Sequence, residues 1–217
     1  MTHTTPVTYL FDPLCGWCYG ASPMVEALMG RDGIAVELVP TGLFAGDGAF
    51  PMNDGFARHA WDSDQRIAAL SGQPFTEAYR VGVLGRRDGR VDSGPTTLAL
   101  TAVRLTAPER EFETLKALQS ARYAGGRDNG DPAVVAAVLD GLGLDEAAHR
   151  FRAPDAELLA VNHARMEAGR ADMRRFGANG VPALIAGAGE SRRLLRAQAL
   201  FGGIDTLLAH VRAAHPA

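Results

Sequence analysis

Val7-Thr8-Tyr9-Leu10-Phe11-Asp12-Pro13-Leu14-Cys15-Gly16-Trp17-Cys18 is the stretch whose reading decides the fold. Val7 to Phe11 is a short β-rich run, and Asp12-Pro13 ends it. From Gly16 to Met29 the apolar positions Trp17, Ala21, Met24, Val25 and Leu28 recur at helical spacing. Glycines from Gly30 to Gly33 stop the helix, and Ile34 to Val39 forms a second β-rich run. Strand, helix and strand within so short a span predict a βαβ unit with parallel strands.

Further along, the period changes. Phe56–Leu70, Phe75–Val83, Thr96–Leu105, Glu109–Tyr123, Pro132–Leu142 and Ala156–Phe176 all read as helices, separated by glycine and proline clusters. Asp131-Pro132 is an N-cap followed by proline at the first helical position. Strand character returns at Val181–Ile185 and Arg192–Leu195, joined by the turn Gly187-Ala188-Gly189, which predicts a hairpin. A last amphipathic helix covers Gly203–Ala213. The expected order is βαβ, a helical block, then ββα.

Composition narrows the function classes. The chain has 217 residues, 47% of them hydrophobic and 22% charged. That is ordinary for a globular protein and long enough to bury a core without disulfide staples. A net charge of −3 with no basic stripe argues against nucleic-acid binding. No apolar run approaches the ~20 residues of a membrane span. Met1-Thr2-His3-Thr4-Thr5-Pro6 carries no basic and apolar leader pattern, so a cytoplasmic protein is expected. In that compartment a close cysteine pair points to catalysis, redox sensing or metal binding rather than scaffolding.

The two cysteines, Cys15 and Cys18, stand at a strand-to-helix junction. A sulfur at a helix N-terminus meets unpaired backbone N–H groups and the positive end of the helix dipole, and both favour a thiolate. Cys18 falls almost one turn later, where deeper burial is expected. A structural zinc site needs about four ligands, drawn mostly from cysteine and histidine. There is no second cysteine pair, and the six histidines are scattered. Trp17 has two readings: a ring covering the helix start, or an apolar contact for unfolded substrates.

Phe11-Asp12-Pro13-Leu14-Cys15-Gly16-Trp17-Cys18-Tyr19-Gly20 resembles the opening of the FrnE-like branch of the DsbA family, described as predicted protein-disulfide isomerases. Gly177-Ala178-Asn179-Gly180-Val181-Pro182-Ala183-Leu184-Ile185 is similar to that family's cis-proline loop and following strand. The resemblance implies an α/β, thioredoxin-like fold from residues 1–48 and 178–217, with a helical insertion domain over 49–177. It implies a cis Val181–Pro182 bond beside the cysteines. Val181 would then offer its backbone to an extended substrate, a form of strand addition. One departure stands out. Thioredoxin and DsbA carry a buried carboxylate six residues before the first cysteine, and Tyr9 occupies that place here. Water or Asp12 would serve proton transfer instead, unless Asp12 only starts a turn before Pro13.

The expected activity is disulfide exchange, with Cys15 as nucleophile and Cys18 as the resolving thiol. Trp17, Val181 and Pro182 are the expected substrate contacts. No metal or organic cofactor is implied. The implied partners are protein or peptide thiols and disulfides, with glutathione a further candidate, and a redox partner to recycle the pair. Two other readings stay open: a glutathione-dependent isomerase or transferase of small molecules on the same fold, and a non-enzymatic redox-sensing binding module.

Overall fold

β1 (Thr5–Phe11) lies inside a four-stranded sheet of order β2-β1-β5-β6 in the computed structural model, which describes residues 4–214. Its neighbours come from opposite ends of the chain. β2 (Ile34–Pro40) runs parallel to it, from Thr5 opposite Ile34 to Phe11 opposite Pro40. β5 (Ala183–Ala186) runs antiparallel on the other side, with Leu10 opposite Ala183. β6 (Arg193–Leu195) closes the edge as the predicted hairpin. Val181 and Pro182, read from sequence as the start of a strand, instead lie in the loop before β5.

The period of two decides what covers each face. Val7, Tyr9 and Phe11 join a core cluster with Ala21, Val25 and Leu28 of α1 (Gly16–Met29). Leu207 and Val211 of α9 (Ile204–Arg212) complete that side. Leu10, Ala183 and Ile185 form a second cluster, packed against Met173 and Phe176 at the end of α8 (Ala156–Phe176). An ion pair between Arg165 and Glu111, with Arg165 also donating to the Leu38 carbonyl at 3.0 Å, ties α8 to β2.

Between β2 and α8 the chain forms α2 (Asp54–Ser71), α3 (Glu77–Tyr79), α4 (Gly94–Thr106), α5 (Glu111–Tyr123), α6 (Pro132–Gly141) and α7 (Asp145–Arg152). Three features differ from the sequence reading. The helix expected over Phe75–Val83 is one α turn followed by a wide π turn at Arg80–Leu84. A methyl group on Gly82 would stand 2.7 Å from the Gly126 carbonyl, so the loop after α5 presses on this segment. α7 was not read at all; it is short and charged, burying only Ala147, Ala148 and Phe151. The block also carries a ribbon, β3 (Phe50–Pro51) with β4 (Arg90–Val91), too short to leave an alternating pattern. Among the described residues no helix is long and apolar enough to cross a membrane.

The contact that positions the site is α2 against α1. A Cβ on Gly20 would lie 2.3 Å from Ile67 Cγ2, so the two helices approach at glycine. Pro23 removes one backbone donor inside α1. The Tyr19 carbonyl it would have served accepts from Ser22 Oγ at 2.8 Å and Gln73 Nε2 at 3.3 Å, a second tie to the end of α2. Gly20→Ala should destabilise the protein by about 1–2 kcal/mol, because Ile67 is stiff at χ1 and cannot swing aside cheaply. A lowered urea midpoint at unchanged slope would show it; an unchanged midpoint would mean that α2 shifts freely.

Candidate active site

The turn between β1 and α1 is held by a set of hydrogen bonds to Asp12 and Leu14. The Asp12 carbonyl accepts from Cys15 N at 3.1 Å, and its Oδ1 accepts from Leu14 N at 2.9 Å. Its Oδ2 accepts from Phe44 N at 3.1 Å and from Ser93 Oγ at 2.8 Å. The Leu14 carbonyl accepts from Tyr123 Oη at 2.7 Å. Asp12 is fully buried, and burial pushes its carboxyl above the usual range although these donors pull it back. The Asp-Pro turn seen in sequence is thus also a tie between β1, the loop after β2 and the start of α4.

Cys15 is the N-cap of α1, and Cys18 lies 3.7 Å from it. Cys15 is 9% exposed and Cys18 0%, so of the two only Cys15 touches the surface. Burial, followed by the neighbouring Cys15 group, pushes the Cys18 thiol well above its ordinary value. Cys15 Sγ is 3.4 Å from the Val181 carbonyl oxygen, and the Val181–Pro182 bond is cis. Trp17 is half-buried and meets the ring of Phe201 edge-on at 5.4 Å. A groove of about 790 Å³ opens here, lined by Trp17, Leu70, Val181, Pro182, Leu194 and Phe201. The five residues singled out from sequence therefore meet in one place.

Tyr9, which replaces the carboxylate of other thioredoxin-like proteins, donates its hydroxyl to the Cys18 carbonyl at 3.3 Å. Burial holds its proton well above the ordinary tyrosine range, so it stays a donor that anchors α1. Among the described residues no group of three or more His, Cys, Asp or Glu is arranged to hold a metal ion.

Behind the cysteines lies a polar cluster that the sequence did not reveal. Asp64 of α2 is 4% exposed and accepts from Tyr79 Oη at 3.0 Å. The Arg122 guanidinium lies 5.7 Å from the Tyr79 ring and pairs with Asp128 at 2.7 Å. In the loop Tyr123-Ala124-Gly125-Gly126-Arg127-Asp128, Arg127 is exposed, but Asp128 turns inward to Arg122. The available signal for Asp64 was its place on α2. Ala60, Asp64 and Ile67 share one helical stripe, and an acid there interrupts an apolar face.

A family profile for the DSBA-like thioredoxin domain matches residues 7–208. The chain belongs to that family. Within it, the cytosolic disulfide reductase DsbM from Pseudomonas aeruginosa is 32% identical, over 96% of this chain and 97% of that one, with a TM-score of 0.83. A structure of DsbM with glutathione matches at 32% identity, with coverage of 96% and 98% and a TM-score of 0.82. A candidate protein disulfide isomerase from Nitrosomonas europaea is 24% identical, with 97% of both chains covered and a TM-score of 0.76, which shows the DsbA-like fold alone. No curated protein sequence matches the chain.

Proposed function

We propose that this DsbA-family protein is a cytosolic disulfide reductase that acts on protein and peptide disulfides and exchanges electrons with glutathione. The observation that carries the reading is the pair Cys15 and Cys18, 3.7 Å apart, the first slightly exposed and the second fully buried, beside Val181 and Trp17 of an apolar groove. The Cys15 thiolate attacks a substrate disulfide, and Cys18 resolves the mixed disulfide. Trp17 and Pro182 give the substrate an apolar wall. The backbone of Val181, 3.4 Å from Cys15 Sγ, gives it a strand edge beside the reacting sulfur. The likeness to DsbM supports the reducing direction, the cytosolic setting and glutathione as partner.

Insulin reduction with glutathione as electron donor tests the reading. Insulin should be reduced and glutathione disulfide should appear in matching amounts, both dependent on the cysteine pair. A reduced protein that passes electrons to neither insulin nor glutathione disulfide would overturn it, and the glutathione-dependent isomerase reading would take its place.

A further inference from the structure

Among the residues that line the groove beside Cys15, a single one is charged: Arg196. The hairpin places it. Leu195 ends β6 and stands opposite Leu184 of β5. One antiparallel step further sets Arg196 beside Ala183, which follows Val181 and Pro182 directly. The Val181 carbonyl oxygen is the one 3.4 Å from Cys15 Sγ. At Ala178 and Asn179 this groove meets a second one, of about 420 Å³, lined also by Arg170, Met173 and Arg174 of α8. The two grooves therefore join along the loop that carries Val181 and Pro182. Among the described residues no Asp or Glu lines either groove. Asp47, in the next depression beyond Arg170, ends the basic stretch.

The arginines differ in what they already hold. Arg170 pairs with Glu167 at 3.0 Å and donates to the Thr41 and Gly42 carbonyls, each at 3.0 Å. Arg174 and Arg196 are exposed and make no ion pair among the described residues. On a chain of net charge −3 this is a local excess of positive charge, next to the cysteine pair. Across from it the wall is apolar: Trp17 and Phe201 meet edge-on, and Leu70 is 59% exposed. An occupant that matches both sides carries carboxylates as well as an apolar side chain.

We propose that the groove selects protein disulfides whose cysteine is flanked by acidic residues, with Arg196 and Arg174 meeting their carboxylates while an apolar neighbour packs on Trp17, Leu70 and Phe201. A guanidinium takes a carboxylate through two parallel N–H···O bonds, which fixes orientation as well as register. The same charges repel lysine-flanked segments, so selectivity has an attractive and a repulsive half. Neither arginine touches the reacting sulfurs; both set specificity. The inference rests on the Cys15-centred reduction of protein disulfides proposed above and names the class of sequence it acts on.

The test is kcat/KM for a set of short peptide disulfides that share one apolar residue and differ only in carrying Glu, Gln or Lys within three places on both sides of the cysteine, with glutathione as electron donor. The Glu peptide should exceed the Gln peptide by about three- to tenfold, mainly through KM, since exposed charge pairs act at this scale. The Lys peptide should fall below the Gln peptide. The Glu preference should shrink between about 0.02 and 0.5 M sodium chloride. Arg196→Gln and Arg174→Gln should each cut the Glu-to-Gln ratio by about two- to threefold, and Arg196→Glu should turn the preference towards Lys. Both peptides meet the same preparation, so any loss of folded protein cancels in the ratio. Ratios near one in the wild-type protein, or ratios that the arginine variants leave unchanged, would overturn the proposal. So would a loss confined to turnover of glutathione disulfide, which would assign the arginines to the carboxylates of glutathione. The same peptides with serine for cysteine, followed by anisotropy of an attached fluorophore, read the grip without sulfur chemistry. Tighter binding of the Glu peptide that Arg196→Glu abolishes, with no peptide reduced, would leave the acidic specificity standing and sink the functional reading. Reduction of all three peptides at equal rates, with equal binding, would do the reverse.

Discussion

A Cys18→Ser protein should accumulate mixed disulfides through Cys15, and a Cys15→Ser protein should form few adducts of any kind. Both should lose disulfide reductase turnover by at least about a hundredfold, the scale on which removing a member of a reacting pair shows. The asymmetry follows from exposure: Cys15, beside Val181, is 9% exposed and Cys18 is 0% exposed. With Cys18 gone, the attacking sulfur remains, but no intramolecular thiol releases what it captures. With Cys15 gone, the remaining thiol is enclosed, and its proton is held by burial. Serine is close in volume to cysteine, so packing around α1 should survive. Non-reducing electrophoresis and mass spectrometry after incubation with glutathione disulfide would read the result. Equal trapping by both variants would overturn the assigned roles.

How much of this was legible in the sequence depends on the range of the interaction that fixed each part. β1, α1 and β2 were readable because a period of two gives way to a helical period and back, with Asp12-Pro13 and glycines at the joints. α8 was readable to its ends: Asp155 caps it by accepting from Leu158 N, and Gly177 ends it at a φ of 68°. The meeting of Cys15 with Val181, 166 residues apart, was legible only through the family resemblance. The wide turn at Arg80–Leu84 was not legible, because it answers to Gly126 on another element. Asp64 escaped for a similar reason. An acid on a helix reads as solvated until the facing residue is known, and here that residue is Gly16, with no side chain to announce the contact. Asp12 was half legible. Its turn could be read locally, but Ser93, 81 positions away, could not be paired with it.

Asp12→Ala should lower the stability of the fold by about 3–5 kcal/mol, the cost of removing one partner from a buried charged or strongly polar group. The change strands three donors at once: Leu14 N, Phe44 N and Ser93 Oγ, each within 3.1 Å of the carboxyl oxygens. Two of these are backbone groups that cannot turn elsewhere, and none gains water, since Asp12 is fully enclosed. Asp12→Asn should cost less. Its oxygen can keep Phe44 N and Ser93 Oγ, while its amide nitrogen faces Leu14 N, leaving one donor opposed. Ser93→Ala, which removes a single donor from the same carboxyl, should cost about 1 kcal/mol. For a chain of this size each kcal/mol moves the melting temperature by roughly 2–4 °C, so Asp12→Ala should fall by about 10 °C. The chemistry should suffer as well. Asp12 fixes the turn from which Cys15 starts α1, and a looser turn lets the two sulfurs drift from their 3.7 Å separation. Disulfide exchange should therefore slow even well below the melting temperature. The order Ala, Asn, Ser93→Ala in chemical denaturation is the decisive result. If Asp12→Ala unfolds within about 1 kcal/mol of the wild-type protein, the carboxyl is not the tie between β1 and α4.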